Sequence, residues 1–321
     1  MSDADGAGTT GVLVMAYGTP AGPDEVLDYY TDIRRGRPPS DAQLADLVRR
    51  YDAIGGVSPL AQRTAAQVAA IAAALDRLAP GRYRVVHGAK HARPTIEDAL
   101  DELAHAGVER CVGLVLAPHY SALSVGEYVG RAQRHADALG VASAFVERWG
   151  AEPALVEVLA ERVRAAIDSV APGPGARCEL VVTAHSLPVR ILEMGDPYPD
   201  ELRETAELVA ARAGATSFRT GWQSAGRTSE PWLGPDILEV LRELATEGAE
   251  AVVVCPAGFT SDHLEVLYDL DVDASALASE LGLRFARTPS LDDEPRVAEA
   301  LARRVADLAR STWPEIAGGS R

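Results

Sequence analysis

Residues 180–188 read LVVTAHSLP, and residues 251–259 read AVVVCPAGF. Each opens on an unbroken, largely β-branched apolar run, the pattern of a strand buried on both faces. Each run then breaks into polar or turn-forming residues, His185 and Ser186 in one, Pro256 and Gly258 in the other. Strands of this kind belong to parallel sheets covered by helices on both sides.

Working outward, strands are read at residues 12–16, 84–88, 111–117, 144–146, 180–184, 218–221, 251–256 and 284–286. Between them lie Ala-rich amphipathic stretches at 59–78, 95–106, 127–139, 152–169, 199–213, 236–247 and 294–311. This alternation predicts an α/β protein. Eight strands suit one large sheet or two of about four. Residues 171–175 are a Pro/Gly loop, and the domain change is placed before the helix that leads into it. The reading is two similar Rossmann-like domains, 1–150 and 151–321, with the C-terminal helix able to pack back on the first.

The chain has 321 residues and a formal net charge of −16. That acidity opposes nucleic acid and anionic membrane surfaces as partners. Cys111, Cys178 and Cys255 form no CxxC, so neither a disulfide framework nor a zinc site is indicated. No run approaches the ~20 apolar residues of a spanning helix, and MSDADGAGTT lacks the pattern of a secretion signal. A reduced, cytoplasmic protein is expected.

Ligands of open parallel sheets bind beyond the strand C-termini. Here those ends carry Tyr17-Gly18-Thr19-Pro20, Pro118-His119-Tyr120, His185-Ser186-Leu187-Pro188 and Ala257-Gly258-Phe259. Two come from each half, so they should converge on a cleft between domains. His185 is the leading candidate for proton chemistry. Position alone favours it little, because strand-end histidines are often only hydrogen-bonded. His119 is second, His91 is a candidate for the cleft, and His105 and His135 lie on charged helical stretches. His263 precedes Glu265 by two residues and on a helix would point elsewhere.

Glu265, Asp269 and Asp273 are spaced i, i+4, i+8 and share one face if the segment is an α-helix. A carboxylate stripe is usually a solvated face. The residues between these acids are mostly apolar, which favours a stripe facing a cavity and holding protons or a cation. Tyr17 ends the first strand and is either packed or aimed into the cleft. The run Ile33-Arg34-Arg35-Gly36-Arg37 and the pair Arg49-Arg50 suit carboxylates of an anionic ligand. Ser58 and Pro59 read as N-cap and first residue of a helix. No GxxxxGK[ST], GxGxxG after the first strand, HExxH or GxSxG occurs.

Taken together, VLVMAYGTP, YYTDIRRGRPP, YDAIGGVSPL, VLAPHYSALSVGEY, VVTAHSLP, GDPYPDEL, GWQSAGRTSEPWLGPD and GFTSDHLEVLYDLD resemble the blocks of the ferrochelatase family, in its order. The likeness is to the monofunctional type of Gram-positive bacteria, and the Ala-, Arg-, Gly- and Asp-rich style is actinobacterial. The resemblance implies the type II chelatase fold and ATP-independent insertion of Fe²⁺ into coproporphyrin III in haem synthesis. It assigns His185 and Glu265 to catalysis and to the incoming iron on one face of the ring, with neutral His185 taking pyrrole protons. It puts Tyr17 on the opposite face, axial to the product iron. It gives Arg34, Arg50, Tyr51, Ser58 and Tyr128 to the porphyrin's propionates and edges, and makes Asp269 and Asp273 a delivery path. It implies no cofactor. Relatives with a [2Fe–2S] cluster use C-terminal cysteines, which RSTWPEIAGGSR lacks. A monomer is expected, in transient contact with the next enzyme of the haem pathway. The rival readings are a protoporphyrin IX ferrochelatase, a cobalt-inserting chelatase of the same fold, and a porphyrin carrier without turnover.

Overall fold

The computed structural model describes residues 8–170, 173 and 177–314. The first half runs β1 (Thr10–Ala16), α1 (Val26–Ile33), α2 (Asp41–Ala53), α3 (Leu60–Leu78), β2 (Tyr83–Ala89), α4 (Ile96–His105), β3 (Arg110–Val115), α5 (Val125–Leu139) and β4 (Ala142–Val146). The second runs α6 (Pro153–Val170), β5 (Cys178–His185), α7 (Arg190–Glu193), α8 (Tyr198–Ala213), β6 (Phe218–Gln223), α9 (Ile237–Thr246) and β7 (Ala251–Cys255). It ends with α10 (Leu264–Val266), a π-helix at Leu267–Ala274, α11 (Ser275–Glu280), β8 (Arg284–Arg287) and α12 (Pro295–Thr312).

The strands form two four-stranded parallel sheets, ordered β2-β1-β3-β4 and β6-β5-β7-β8. All seven residues of β1 and all five of β7 are buried, as their unbroken apolar runs require. Local chemistry starts the helices between them. Thr95 accepts from the backbone N–H of Asp98, whose carboxylate reaches back to the N–H of Thr95, and Asp236 starts α9 by accepting from Leu238. Such caps satisfy backbone donors that have no partner within the helix.

The largest hydrophobic cluster joins the halves. It holds Val12, Ile71 and Leu114 from the first, Leu159, Leu180 and Val253 from the second, and Leu301 and Val305 from α12. Burying side chains of this size stabilises by about 1.5–3 kcal/mol each. Through this cluster α12 packs against both α3 and α6. Polar ties accompany the apolar ones: Asp196 accepts from Ser121 Oγ and the Ala122 N–H, and Gln67 Nε2 donates to the Thr260 carbonyl at 3.2 Å.

Three local features depart from the sequence reading. Helices α1 and α2 were not anticipated. Helix α3 begins at Leu60, one residue later than expected, and Ser58 Oγ accepts from the Leu60 N–H at 3.3 Å. The acidic segment is α-helical only over Leu264–Val266 and continues as a π-helix. The segment 171–175 and the tail from residue 315 lie almost wholly outside the described residues.

Candidate active site

The central strands β1 and β5 deliver their C-terminal ends to one cavity of about 500 Å³ between the halves. Tyr17 follows β1, His185 ends β5, and Glu265 lies on α10 beyond β7; all three line the cavity. Gly258 allows the loop after β7 to close on β5. Its N–H donates to the Thr183 carbonyl at 3.0 Å, and a Cβ there would run into Ala184.

His185 Nε2 stands 3.4 Å from Glu265 Oε2. The other ring nitrogen, Nδ1, faces the Ser186 carbonyl at 2.5 Å, which fixes the ring with Nε2 toward Glu265. Burial by itself would lower the imidazole pKa, but Glu265 outweighs it and raises His185 to about 9. For Glu265 burial likewise opposes charge, and His185 and His263 overcome it, holding the carboxyl well below the usual carboxylate range. Both shifts favour imidazolium beside carboxylate while no metal is bound, because a carboxylate 3.4 Å away stabilises the protonated ring.

His263 departs from the sequence reading. It lies before the first turn of α10 with extended backbone, φ −157° and ψ −180°. The rule that residues two apart diverge holds only inside a helix. Its Nε2 comes to 3.6 Å from Glu265 Oε2, and its ring lines the cavity.

Asp269 sits behind Glu265. It accepts from Ser224 Oγ and lies 4.0 Å from Arg50 Nη1. Burial, chiefly, raises its pKa to about 6. Ser224 and Arg50 line the cavity, whereas Asp269 and Asp273 do not. Asp273 acts instead on Asp236 at the start of α9. The single shared face expected for the three acids requires α-helical winding, and the wider π-helical turn displaces each later acid around the axis.

Tyr17 also lines the cavity with its side chain partly open, at 41% exposure, and desolvation followed by the carboxylate of Glu265 raises its phenol pKa. Its ring packs tilted against His91 with centroids 4.7 Å apart, and His91 Nδ1 pairs with Asp32 at 2.7 Å. Tyr51, Ser58 and Tyr128 are buried wall residues, with Lys90 Nζ over the Tyr128 ring at 5.1 Å. Arg50 lines the cavity and lies over the Tyr268 ring. Arg34 does not reach the wall; its Nε donates to the Arg37 carbonyl and its guanidinium lies over Tyr30. His119 lines the cavity, is buried against Thr205, and burial lowers its pKa to about 3. His135 pairs with Asp101.

Among the wall residues that sequence reasoning missed are Lys90, Arg227, Trp232 and Tyr198. The last three lie inside the quoted blocks GDPYPDEL and GWQSAGRTSEPWLGPD, but composition gave no reason to single them out. Among the described residues no group of three or more His, Cys, Asp and Glu is arranged to hold a metal ion. The imidazole–carboxylate pair can pass a proton and meet a cation transiently.

The fold matches solved type II chelatases. The sirohydrochlorin chelatase SirB from Bacillus subtilis subspecies spizizenii, in complex with cobalt, superposes with a TM-score of 0.59 at 12% identity, covering 96% of this chain and 98% of that one. CbiX, the terminal enzyme for siroheme biosynthesis in denitrifying bacteria, gives 0.54 at 17% identity over 92% and 98%. Two four-stranded parallel sheets with this likeness define the class, the type II chelatase fold. The ferrochelatase family model matches residues 9–308, and the chain belongs to the ferrochelatase family. It is 46% identical to the coproporphyrin III ferrochelatase of Anoxybacillus flavithermus over 91% of this chain and 94% of that protein. It is 43% identical to the coproporphyrin III ferrochelatase of Geobacillus kaustophilus over 92% and 94%.

Proposed function

We propose that this protein inserts Fe²⁺ into coproporphyrin III, giving Fe-coproporphyrin III in haem synthesis without ATP. The observation that carries this reading is the His185–Glu265 pair lining one cavity together with Tyr17, in a chain with such relatives. The net reaction releases two protons: the ring loses both pyrrole N–H protons as Fe²⁺ takes their place.

The resting pair holds one proton between two groups. Fe²⁺ arriving at the Glu265 carboxylate would remove the charge that keeps His185 protonated, so His185 gives its proton to solvent. Nε2 then takes the two pyrrole protons in turn, passing the first on before it accepts the second. Metal arrival and proton acceptance are coupled through one electrostatic contact. Asp269, with a pKa of about 6, takes a proton onward near neutral pH. Tyr17 stays a neutral phenol, and in this reading its oxygen would meet the product iron from the side away from His185. Arg50, Tyr51, Ser58 and Tyr128 hold the ring and its propionates.

We read the domain change at residues 150/151. The protein works as a cytoplasmic monomer without a resident cofactor or [2Fe–2S] cluster, and it meets the next haem-pathway enzyme only in passing. The thiols support the absence of a cluster: Cys111 and Cys255 are buried in different sheets. No helix among the described residues is long and apolar enough to cross a membrane.

Anaerobic stopped-flow metalation with coproporphyrin III and Fe²⁺ tests the reading. Rapid conversion to the metallated spectrum supports it. Tight ring binding without metalation would leave a carrier in its place.

A further inference from the structure

Among the described residues, the lysine and arginines that line the cavity are Arg50, Lys90 and Arg227. Lys90 is committed to Glu127 at 2.5 Å. Arg227 lies on the loop after β6, in the second half, and reaches across the mouth to Asp46 on α2, in the first, at 2.8 Å. Asp46 is oversubscribed. It also takes Arg49 Nη2 at 2.8 Å and Arg50 Nε at 3.2 Å. Three guanidinium groups therefore share one carboxylate, and the mouth keeps a surplus of positive charge on a chain whose net charge is −16.

The loop gives Arg227 a fixed base and a free arm. A Cβ on Gly226 would collide with the Trp232 indole, so the backbone lies flat on that ring. Thr228 Oγ1 accepts from Trp232 Nε1 at 2.8 Å on the other side. The backbone of Arg227 is thus pinned at both neighbours, while its side chain is 53% exposed. Partners of such exposed ion pairs exchange at little cost, and a guanidinium prefers a carboxylate it can grip with two N–H groups.

We infer that Arg227 is a receptor for a substrate carboxylate, held on Asp46 as a placeholder until the ring arrives and then transferred to one of its propionates. This inference rests on the function proposed above. It assigns a specificity residue on the second half, complementing Arg50 on the first, so that binding charges are drawn from both lips of the cleft.

The test is fluorescence titration of the full-length protein with metal-free coproporphyrin III and with its uncharged tetramethyl ester. Arg227→Gln should weaken binding of coproporphyrin III about tenfold, the loss of one charge-assisted contact, and leave the ester within about twofold. Arg227→Lys keeps the charge without the two-pronged grip and should recover only part of the loss, and Asp46→Asn should bind coproporphyrin III at least as tightly as the wild type. Equal loss for both rings, or weaker binding by Asp46→Asn, would make the pair a structural latch and overturn the inference. So would an unchanged affinity in Arg227→Gln. Wild-type protein that binds no tetracarboxylate ring would overturn the proposed function too; a wild type that binds normally beside an unaffected Arg227→Gln would overturn this inference alone.

Discussion

The phenol of Tyr198 donates a hydrogen bond to the backbone carbonyl of His185 at 3.0 Å. Tyr198 starts α8 and packs on Trp222 at 5.5 Å, so a buried aromatic pair fixes the end of β5 on which the candidate proton acceptor stands. Tyr198→Phe keeps the packing and removes only the donor. One neutral hydrogen bond is worth about 1 kcal/mol, or about fivefold in rate if its loss falls on placing His185. Metalation kinetics should show kcat reduced by about that factor with the porphyrin KM unchanged. A change confined to thermal stability would limit Tyr198 to packing.

His185→Ala should abolish metalation and leave coproporphyrin III affinity within about tenfold, because binding rests on arginines and apolar walls. Porphyrin fluorescence titration beside stopped-flow metalation separates the two. Turnover near the wild-type rate would remove His185 from the chemistry.

The pH dependence of the pair has a definite sign. His185 is raised from its ordinary 6.5 to about 9, so its contribution to stability is complete below 6.5 and disappears as pH climbs through about 9. Glu265 is lowered, so its contribution is present above its ordinary 4.5 and fades in acid. The stability advantage of wild type over Glu265→Gln should therefore be greatest between 4.5 and 6.5 and vanish above about 9. Denaturant melts across this range give the difference. NMR titration of the His185 ring should show a midpoint near 9 that drops toward 6.5 in Glu265→Gln; an unmoved midpoint would break the coupling.

Asp269 and Ser224 form the next link. Ser224→Ala removes a hydrogen bond that stabilises the Asp269 carboxylate, so the pKa should rise above about 6. Asp269→Asn should slow metalation and raise the apparent KM for Fe²⁺ with little change in the porphyrin KM. An unaltered iron dependence in Asp269→Asn and Asp273→Asn together would leave Glu265 without an acidic path behind it.

Coproporphyrin III should be used at least about tenfold better than protoporphyrin IX in kcat/KM, since each additional propionate gains a charge-assisted contact. Competition between the two rings measures this directly, and equal use would refute the assignment to the coproporphyrin branch.

The sheets were legible because their strands are apolar on both faces. LVVTAHSLP can be little else, and β5 gained only residues at its ends. Helices α1 and α2 were not, because they bury so little: Tyr51 alone is buried in α2, although Ser40 and Gln43 form a capping box that the sequence displays. Wall positions such as Tyr17, Tyr51, Tyr128, His185 and Glu265 follow from strand ends and recurring blocks. The displacement of Asp273 depends on whether each backbone bond spans four residues or five, which i, i+4, i+8 spacing does not encode. His263 reaches Glu265 because the helix starts one residue after it. Arg227 meets Asp46 only once two distant segments face each other across the mouth.

The identical strand order of the two sheets has a consequence for how a flat molecule is held. Tyr17 follows β1 and His185 ends β5, and these strands hold equivalent central places in their sheets. Each half thus offers the same topological position to one side of the cleft, like two hands closing with the same finger extended. Two like halves would treat both sides of a planar guest alike. Here one finger ends in a phenol that keeps its proton, the other in an imidazole whose proton depends on a neighbouring carboxylate. Divergence at this matched pair, a phenol after one central strand and an imidazole beside a carboxylate at the end of the other, gives a nearly symmetric scaffold a direction.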